Sequence, residues 1–259
     1  MEPTSSSNPF SAPAARVSDY AAEEEGALLS EPERLDAGRG FAWIGEGWAL
    51  YREAPGMWAG IILVLGIIFI VMSMIPLVNF VVSMIMPVFV GGLMLGCHDL
   101  ERGEPLEFRH LFAGFQEHFG KLFVAGLIYA VSAFVVMFLS AFAMMGTMGM
   151  SVMTGGNPGA VAPLTILLWV AVMMALLVPL LMAIWFAPAL IVRHDLGAIE
   201  ALTLSFKGCL RNMLPFLLYG VVTLVLAFVA TIPLGLGWLV LGPVMVAAQY
   251  VGYREIFVG

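Results

Sequence analysis

Two His-Asp pairs, His98-Asp99 and His194-Asp195, are the first residues in this chain with chemical potential, and two further histidines, His110 and His118, fall in polar stretches with carboxylates nearby. Imidazole beside carboxylate is the raw material of acid–base and metal sites. Adjacent residues on a helix point about 100° apart, however, so neither pair can converge on one atom. A histidine at a helix C-terminus also has a plainer use, pairing with free carbonyls and the helix dipole. A second group is Met144, Met145, Met148, Met150 and Met153, whose thioethers would suit Cu(I). The chain holds 18 methionines spread along its length, and methionine commonly fills irregular apolar gaps. No HExxH, CxxC, GxSxG or phosphate-loop pattern occurs. The sequence thus predicts no metal, no cofactor and no catalytic set.

The third group is basic and interfacial. Arg52, Arg109, Lys121, Lys207 and Arg211 stand beside Trp43, Trp48, Trp58, Phe112 and Phe123 at the borders of long apolar runs. Each basic side chain near an anionic surface contributes roughly 1 kcal/mol of attraction. Arg52, Arg109, Lys121, Lys207, Arg211, Trp48 and Phe112 are therefore the candidate headgroup-interface residues.

Positioning these residues takes a membrane. The 259 residues are 61% hydrophobic and 11% charged, with mean hydropathy +0.98, far from the composition of a soluble domain. Three short amphipathic segments each lead into an apolar run. In the first, Phe41, Ile44, Trp48 and Tyr51 recur at helical spacing up to Pro55-Gly56. In the second, from Leu106 to Phe123, Phe108, Leu111, Phe112, Phe115 and Phe119 do so. The third places Ile199, Leu202, Phe206, Cys209 or Leu210, and Met213 on one stripe. Each reads as an elbow lying in the membrane surface before the chain turns to cross it.

The expected fold is an all-α membrane protein with six transmembrane helices, about 57–75, 80–97, 121–145, 163–192, 214–232 and 238–253, arranged as three hairpins. Pro179 and Pro188 should bend the fourth crossing. Residues 1–39 carry four prolines, clustered serines and eight acidic groups against Arg16, Arg34 and Arg39; they read as a disordered acidic tail, without the basic start of a signal peptide. The tail accounts for −5 of the net −7, leaving −2 for the membrane domain, and nothing resembles a nucleic-acid surface.

All eleven Lys and Arg fall in the N-terminal segment, the elbow-bearing loops or the C-terminus, which by the positive-inside rule makes both termini and all elbows cytoplasmic. Cys97 and Cys209 lie at cytoplasmic helix ends, so no disulfide is expected. Gapless alignment relates the elbows at offsets of 64 and 95, and the first and third returning helices at 156, an internal threefold repeat. Helix packing is expected at Gly56-xxx-Gly60, Gly92-xxx-Gly96 and Ala248-xxx-Gly252, within the chain or with another subunit. Outside their cytoplasmic ends the crossings hold no ionisable residue, which argues against ion-coupled transport.

PVFVGGLMLGCHDLERGEPLEFRHLFAGF (87–115), WFAPALIVRHDLGAIEALTLSFKGCLRNMLPFLLYG (185–220) and PVMVAAQYVGYREIF (243–257) resemble a family of bacterial inner-membrane proteins similar to the YciC-like proteins and, more distantly, to the membrane domain fused to some glycerophosphodiester phosphodiesterases. The resemblance covers about residues 40–258. It implies a six-helix inner-membrane fold and an association with envelope lipid, without an activity. The catalytic domain of those phosphodiesterases is absent from this sequence.

The expected function is that of a multi-pass inner-membrane protein, not an enzyme, that organises or binds membrane lipid, anionic lipid included, or a membrane protein partner or second copy. A channel or passive transporter for an uncharged or lipidic substrate is the alternative, with Ser73, Ser83, Ser132, Ser140, Thr223 and Thr231 as its sparse polar lining.

Overall fold

The computed structural model describes residues 26–74, 78–116, 118–153, 155 and 163–259. Among them are α1 (Arg39–Glu53), α2 (Pro55–Ser73), α3 (Val78–Glu101), α4 (His110–Ala113), α5 (Phe119–Met153), α6 (Pro163–Trp185), α7 (Ala187–His194), α8 (Ala198–Arg211), α9 (Met213–Thr231) and α10 (Trp238–Phe257). Five stretches are long and apolar enough to cross a bilayer: Pro55–Ser73, Phe80–Glu101, Phe119–Thr147, Thr165–His194 and Met213–Thr231. The chain is a helical multi-span membrane protein.

The sixth expected crossing, α10, is about 30 Å long at 1.5 Å per residue but is interrupted by Gln249, Tyr250, Tyr253, Arg254 and Glu255. Its surroundings explain this. Eleven of its 20 residues are buried, because α1, α2, α3 and α9 pack around it. A helix sheathed in protein needs no lipid-compatible surface.

The amphipathic helices bury a different face from the one their large apolar residues mark. In α1 the buried stripe is Gly40, Trp43, Gly47 and Tyr51, while Phe41 is 51% exposed and Trp48 44%. The reason is close approach: a Cβ on Gly47 would lie 2.7 Å from the Ala248 nitrogen of α10. In α8 the buried residues are Ala201, Leu202, Ser205, Gly208 and Cys209, and Ile199 and Leu210 point outward. Each buried stripe mixes small residues with a few large ones, Trp43 and Tyr51 in α1 and Leu202 in α8, while Phe41, Trp48, Ile199 and Leu210 face away from the protein.

The middle segment departs further. No continuous helix runs from Leu106 to Phe123; α4 is four residues long, and α5 starts afresh at Phe119. His110 causes the turn. It is 4% exposed, its Nδ1 accepts the Glu107 N–H at 3.0 Å, and its Nε2 lies 2.9 Å from Asp99 at the end of α3. The accepted N–H places the ring proton on Nε2, aimed at the carboxylate. Leu111 is fully buried, whereas Phe108, Phe112 and Phe119 are exposed.

The fourth crossing breaks between α6 and α7. Pro188 sits in the first turn of α7, where a missing N–H costs nothing, but the carbonyls ending α6 lose helical partners. Side chains replace them: Ser205 donates to the Met182 carbonyl at 2.7 Å and accepts the Phe186 N–H at 3.0 Å, and Gln249 donates to the Trp185 carbonyl. Pro179 lies inside α6 without ending it.

The packed region begins at Gly26, earlier than the 1–39 tail read from sequence. Residues 26–38 form a strap across the ends of α8 and α10. Leu29 and Glu33 donate to the carbonyls of Phe257 and Ile256, both at 2.8 Å. Asn212, 1% exposed, accepts from Leu35 N–H and donates to the Glu33 carbonyl, again at 2.8 Å. Pro32 is buried. The remainder of the tail, residues 1–25, lies outside the described residues.

Candidate functional site at the charged end of the bundle

All charged side chains among the described residues gather at one end, on the strap, α1, the 99–121 segment, and the facing ends of α7, α8 and α10. There the two His-Asp pairs separate, as helix geometry requires. Asp99 takes His110, and Asp195 takes Lys121 at 2.6 Å and His118 at 3.4 Å. The Lys121 hydrogen bond, then its charge, hold the exposed Asp195 carboxyl below its usual range. Asp195 ends α7 in the left-handed conformation at φ 54°, a place where a short polar side chain is tolerated.

The histidines turn instead to α10. His194 Nε2 lies 2.6 Å from the Tyr253 hydroxyl. Tyr250 donates to Glu101 at 2.6 Å; with that single proton committed, His98 Nδ1, 3.2 Å away, must be the donor to the tyrosine oxygen. Among the described residues no three of His, Cys, Asp and Glu group as metal ligands. Met144, Met145, Met150 and Met153 are exposed on α5, and the Met148 side chain lies outside the described residues. Cys97 and Cys209 are buried and free. Burial pushes the Cys209 thiol up to about 12.

Between these helix ends lies a cavity of about 900 Å³, lined by residues of the strap, α1, α3, α7 and α10. Its wall is an ionic lattice. Glu255 accepts from Trp43 Nε1 at 2.9 Å and Arg39 Nε at 3.0 Å, Glu46 takes Arg39 at 2.7 Å and Arg254 at 3.5 Å, and Arg254 also pairs with Glu101. Arg193 and Arg102 line the same cavity.

Of the interface residues expected from sequence, three are engaged. Lys121 binds Asp195, Arg109 lies 2.9 Å from Glu107, and Arg211 3.0 Å from Glu31. Arg52 and Lys207 are exposed and have no carboxylate partner among the described residues. Trp48 and Phe112 are both 44% exposed. Trp43 and Trp58, read as interfacial, are instead core residues at 2% and 0%.

The small-residue motifs divide. A Cβ on Gly92 would strike the His110 carbonyl, and one on Gly96 would lie 2.6 Å from Leu106 Cδ1, so α3 packs on the α4 segment there. Ala248 meets Gly47, and Gly252 meets the Trp43 ring at 3.4 Å. Gly60 touches only the Phe108 ring within 4 Å, and Gly56 has open space. Among the described residues that first motif meets no other helix of this chain.

Two of the candidate pore hydroxyls bond to their own helices: Ser73 donates to the Ile70 carbonyl and Thr231 to that of Ala227. Between α6 and α9 lies an apolar groove of about 420 Å³, walled by Val178, Leu181, Trp185, Leu214 and Leu217.

A probable inner membrane protein of Burkholderia thailandensis is 27% identical over 203 residues, 74% of this chain and 75% of that protein. The likeness is a distant homology. It sets the chain among bacterial multi-pass inner-membrane proteins. No protein-family model and no solved structure matches it.

Proposed function

We propose that this protein is a non-enzymatic inner-membrane protein that holds anionic lipid, or a partner lying in that lipid, on the outward faces of its amphipathic segments. The observation that carries the reading is the inverted packing of those segments. α1 and α8 dock through stripes that combine Gly40, Gly47, Ala201, Ser205 and Gly208 with Trp43, Tyr51 and Leu202, leaving Phe41, Trp48, Ile199 and Leu210 facing away from the protein, beside Arg52 and Lys207, which have no carboxylate partner among the described residues. Large apolar residues next to basic ones, on a helix lying along a membrane surface, is the arrangement that binds anionic lipid.

The finer architecture belongs to the same reading: six crossings in three hairpins, with α10 as the sixth, and the charged end cytoplasmic. The confinement of basic residues to one end supports the orientation. Support for the repeat comes from a common docking relation, since α1 lies on α10, α4 on α3, and α8 on α6 and α7. The likeness to YciC-like proteins implies the same envelope-lipid setting.

The test is electron spin resonance of spin-labelled lipids in vesicles containing the reconstituted protein. Labelled phosphatidylglycerol should show a larger protein-restricted component than labelled phosphatidylcholine. Raised salt should reduce the difference, and Arg52→Gln with Lys207→Gln should reduce it by about fivefold per residue, from roughly 1 kcal/mol each. Equal restriction of both lipids would remove the reading.

A further inference from the structure

The cavity at the charged end contains charge that the ionic lattice does not use. Four arginines and three glutamates line it: Arg39, Arg102, Arg193 and Arg254 against Glu33, Glu101 and Glu255. Arg39 with Glu255, and Arg254 with Glu101, form direct pairs, which leaves Arg193 and Arg102 against Glu33. Among the described residues Arg193 has no carboxylate within ion-pair distance; it lies beside the Tyr253 hydroxyl. For Arg102 the nearest acid is Glu104 at 4.0 Å, a weak surface contact.

Arg193 is also held in place. Tyr253 is fixed from its other side by His194 at 2.6 Å, and α7 enters from a buried run, Ala187 to Val192. A guanidinium on a cavity wall, without a carboxylate in ion-pair distance among the described residues, has the geometry of an anion site. The Tyr250–His98–Glu101 chain is committed to itself, so it offers shape while Arg193 and Arg102 offer charge. At about 900 Å³ the cavity is far larger than a bare anion and matches a small organic ligand or lipid headgroup.

We propose that this cavity binds a phosphate ester, with Arg193 as the primary phosphate ligand and Arg102 as the second. The phosphate belongs either to a phospholipid headgroup entering between helix ends or to a small soluble ester. Glu33, exposed on the strap, faces the ligand with like charge and weakens the site. The site does not depend on the outward faces of α1 and α8, and stands or falls apart from them.

The experiment uses the full chain in nanodiscs of phosphatidylcholine alone, titrated with glycerol 3-phosphate and with inorganic phosphate by ³¹P NMR line broadening. A parallel arm loads phosphatidylglycerol into the nanodisc and counts lipid retained after gentle release. Binding in the titration identifies a soluble ester, and retention alone identifies a headgroup; either upholds the site provided that Arg193→Gln lowers affinity or retention by at least about tenfold, as loss of a charge-assisted bidentate contact should. Arg193→Lys should retain part of the binding. Glu33→Gln, which disturbs no described side-chain contact, should strengthen it. Arg52→Gln should leave it unchanged, which separates this site from the α1 surface. No binding in either arm, or equal binding by wild type, Arg193→Gln and Glu33→Gln, overturns the proposal.

Discussion

Replacing Asn212 with alanine should unfasten the strap that closes the charged end. The side chain is 1% exposed and makes three hydrogen bonds: it accepts from Leu35 N–H at 2.8 Å and donates to the carbonyls of Glu33 at 2.8 Å and Gly208 at 3.0 Å. Two of these cross from the α8–α9 junction to the strap. Each is worth about 0.5–1.5 kcal/mol net, and an amide left unpaired in a part-buried position costs about 1–3 kcal/mol. Water can reach the exposed Glu33 but only part of Leu35, so the total is about 2–4 kcal/mol. Since about 1.4 kcal/mol corresponds to tenfold, amide exchange across the strap should accelerate by roughly 30- to 1,000-fold. Hydrogen-exchange mass spectrometry on peptides spanning residues 26–38 reads this directly. Asn212→Asp keeps the acceptor for Leu35 but sets a buried carboxylate oxygen against the Glu33 and Gly208 carbonyls, so its peptides should exchange at least as fast as those of Asn212→Ala. A strap that exchanges as fast in wild type as in Asn212→Ala would refute the reasoning.

Other consequences are as specific. Gly92→Leu should separate α4 from α3 at the His110 carbonyl, lowering the thermal midpoint in detergent by an overpacking cost of at least about 1–3 kcal/mol, whereas Gly56→Leu, in open space, should leave the midpoint unchanged. Asp195 is held below its ordinary carboxyl range by Lys121 and His118, so its contribution to stability is present above the unfolded-state value near 3.8 and is lost as pH falls through the lower folded value. The melting difference between wild type and Asp195→Asn should accordingly be present at neutral pH and close in acid. Neither Cys97 nor Cys209 should react with maleimide in the folded protein, and both should react after denaturation, because both are buried. Trp43→Phe removes the indole bond to Glu255 and should destabilise by about 1.5–3 kcal/mol, the range for a hydrogen bond to a charged group.

Hydropathy and charge made much of this legible. The five apolar helices, the gathering of charge at one end and the break near Pro188 all follow from composition and from proline's missing donor. The faces of the amphipathic helices did not. Periodicity finds the stripe of large apolar side chains, and in a soluble protein that stripe is the core; here a stripe containing Gly40 and Gly47 meets the protein, and Phe41 and Trp48 lie outside it. Trp43 was misplaced for the same reason, since Gly40 and Gly47, one turn either side, admit α9 and α10 so closely that the indole is enclosed. The strap escaped notice because it is held by backbone amides and one asparagine, which leave no hydrophobic pattern. Arg193 looked like a helix-end marker, and only tertiary structure shows that the acid beside it, Asp195, points to Lys121 instead.

The central claim is that the outward faces of α1 and α8 hold anionic lipid. Native mass spectrometry of the protein, released gently from its own membrane, reads retained lipid and subunit number together. The account predicts anionic phospholipid bound to the wild type and lost when Arg52 and Lys207 are both changed to glutamine, with neutralisation of the paired Arg109 or Arg211 having a smaller effect. A wild type that emerges without lipid, or lipid retained equally by the double variant, would contradict it.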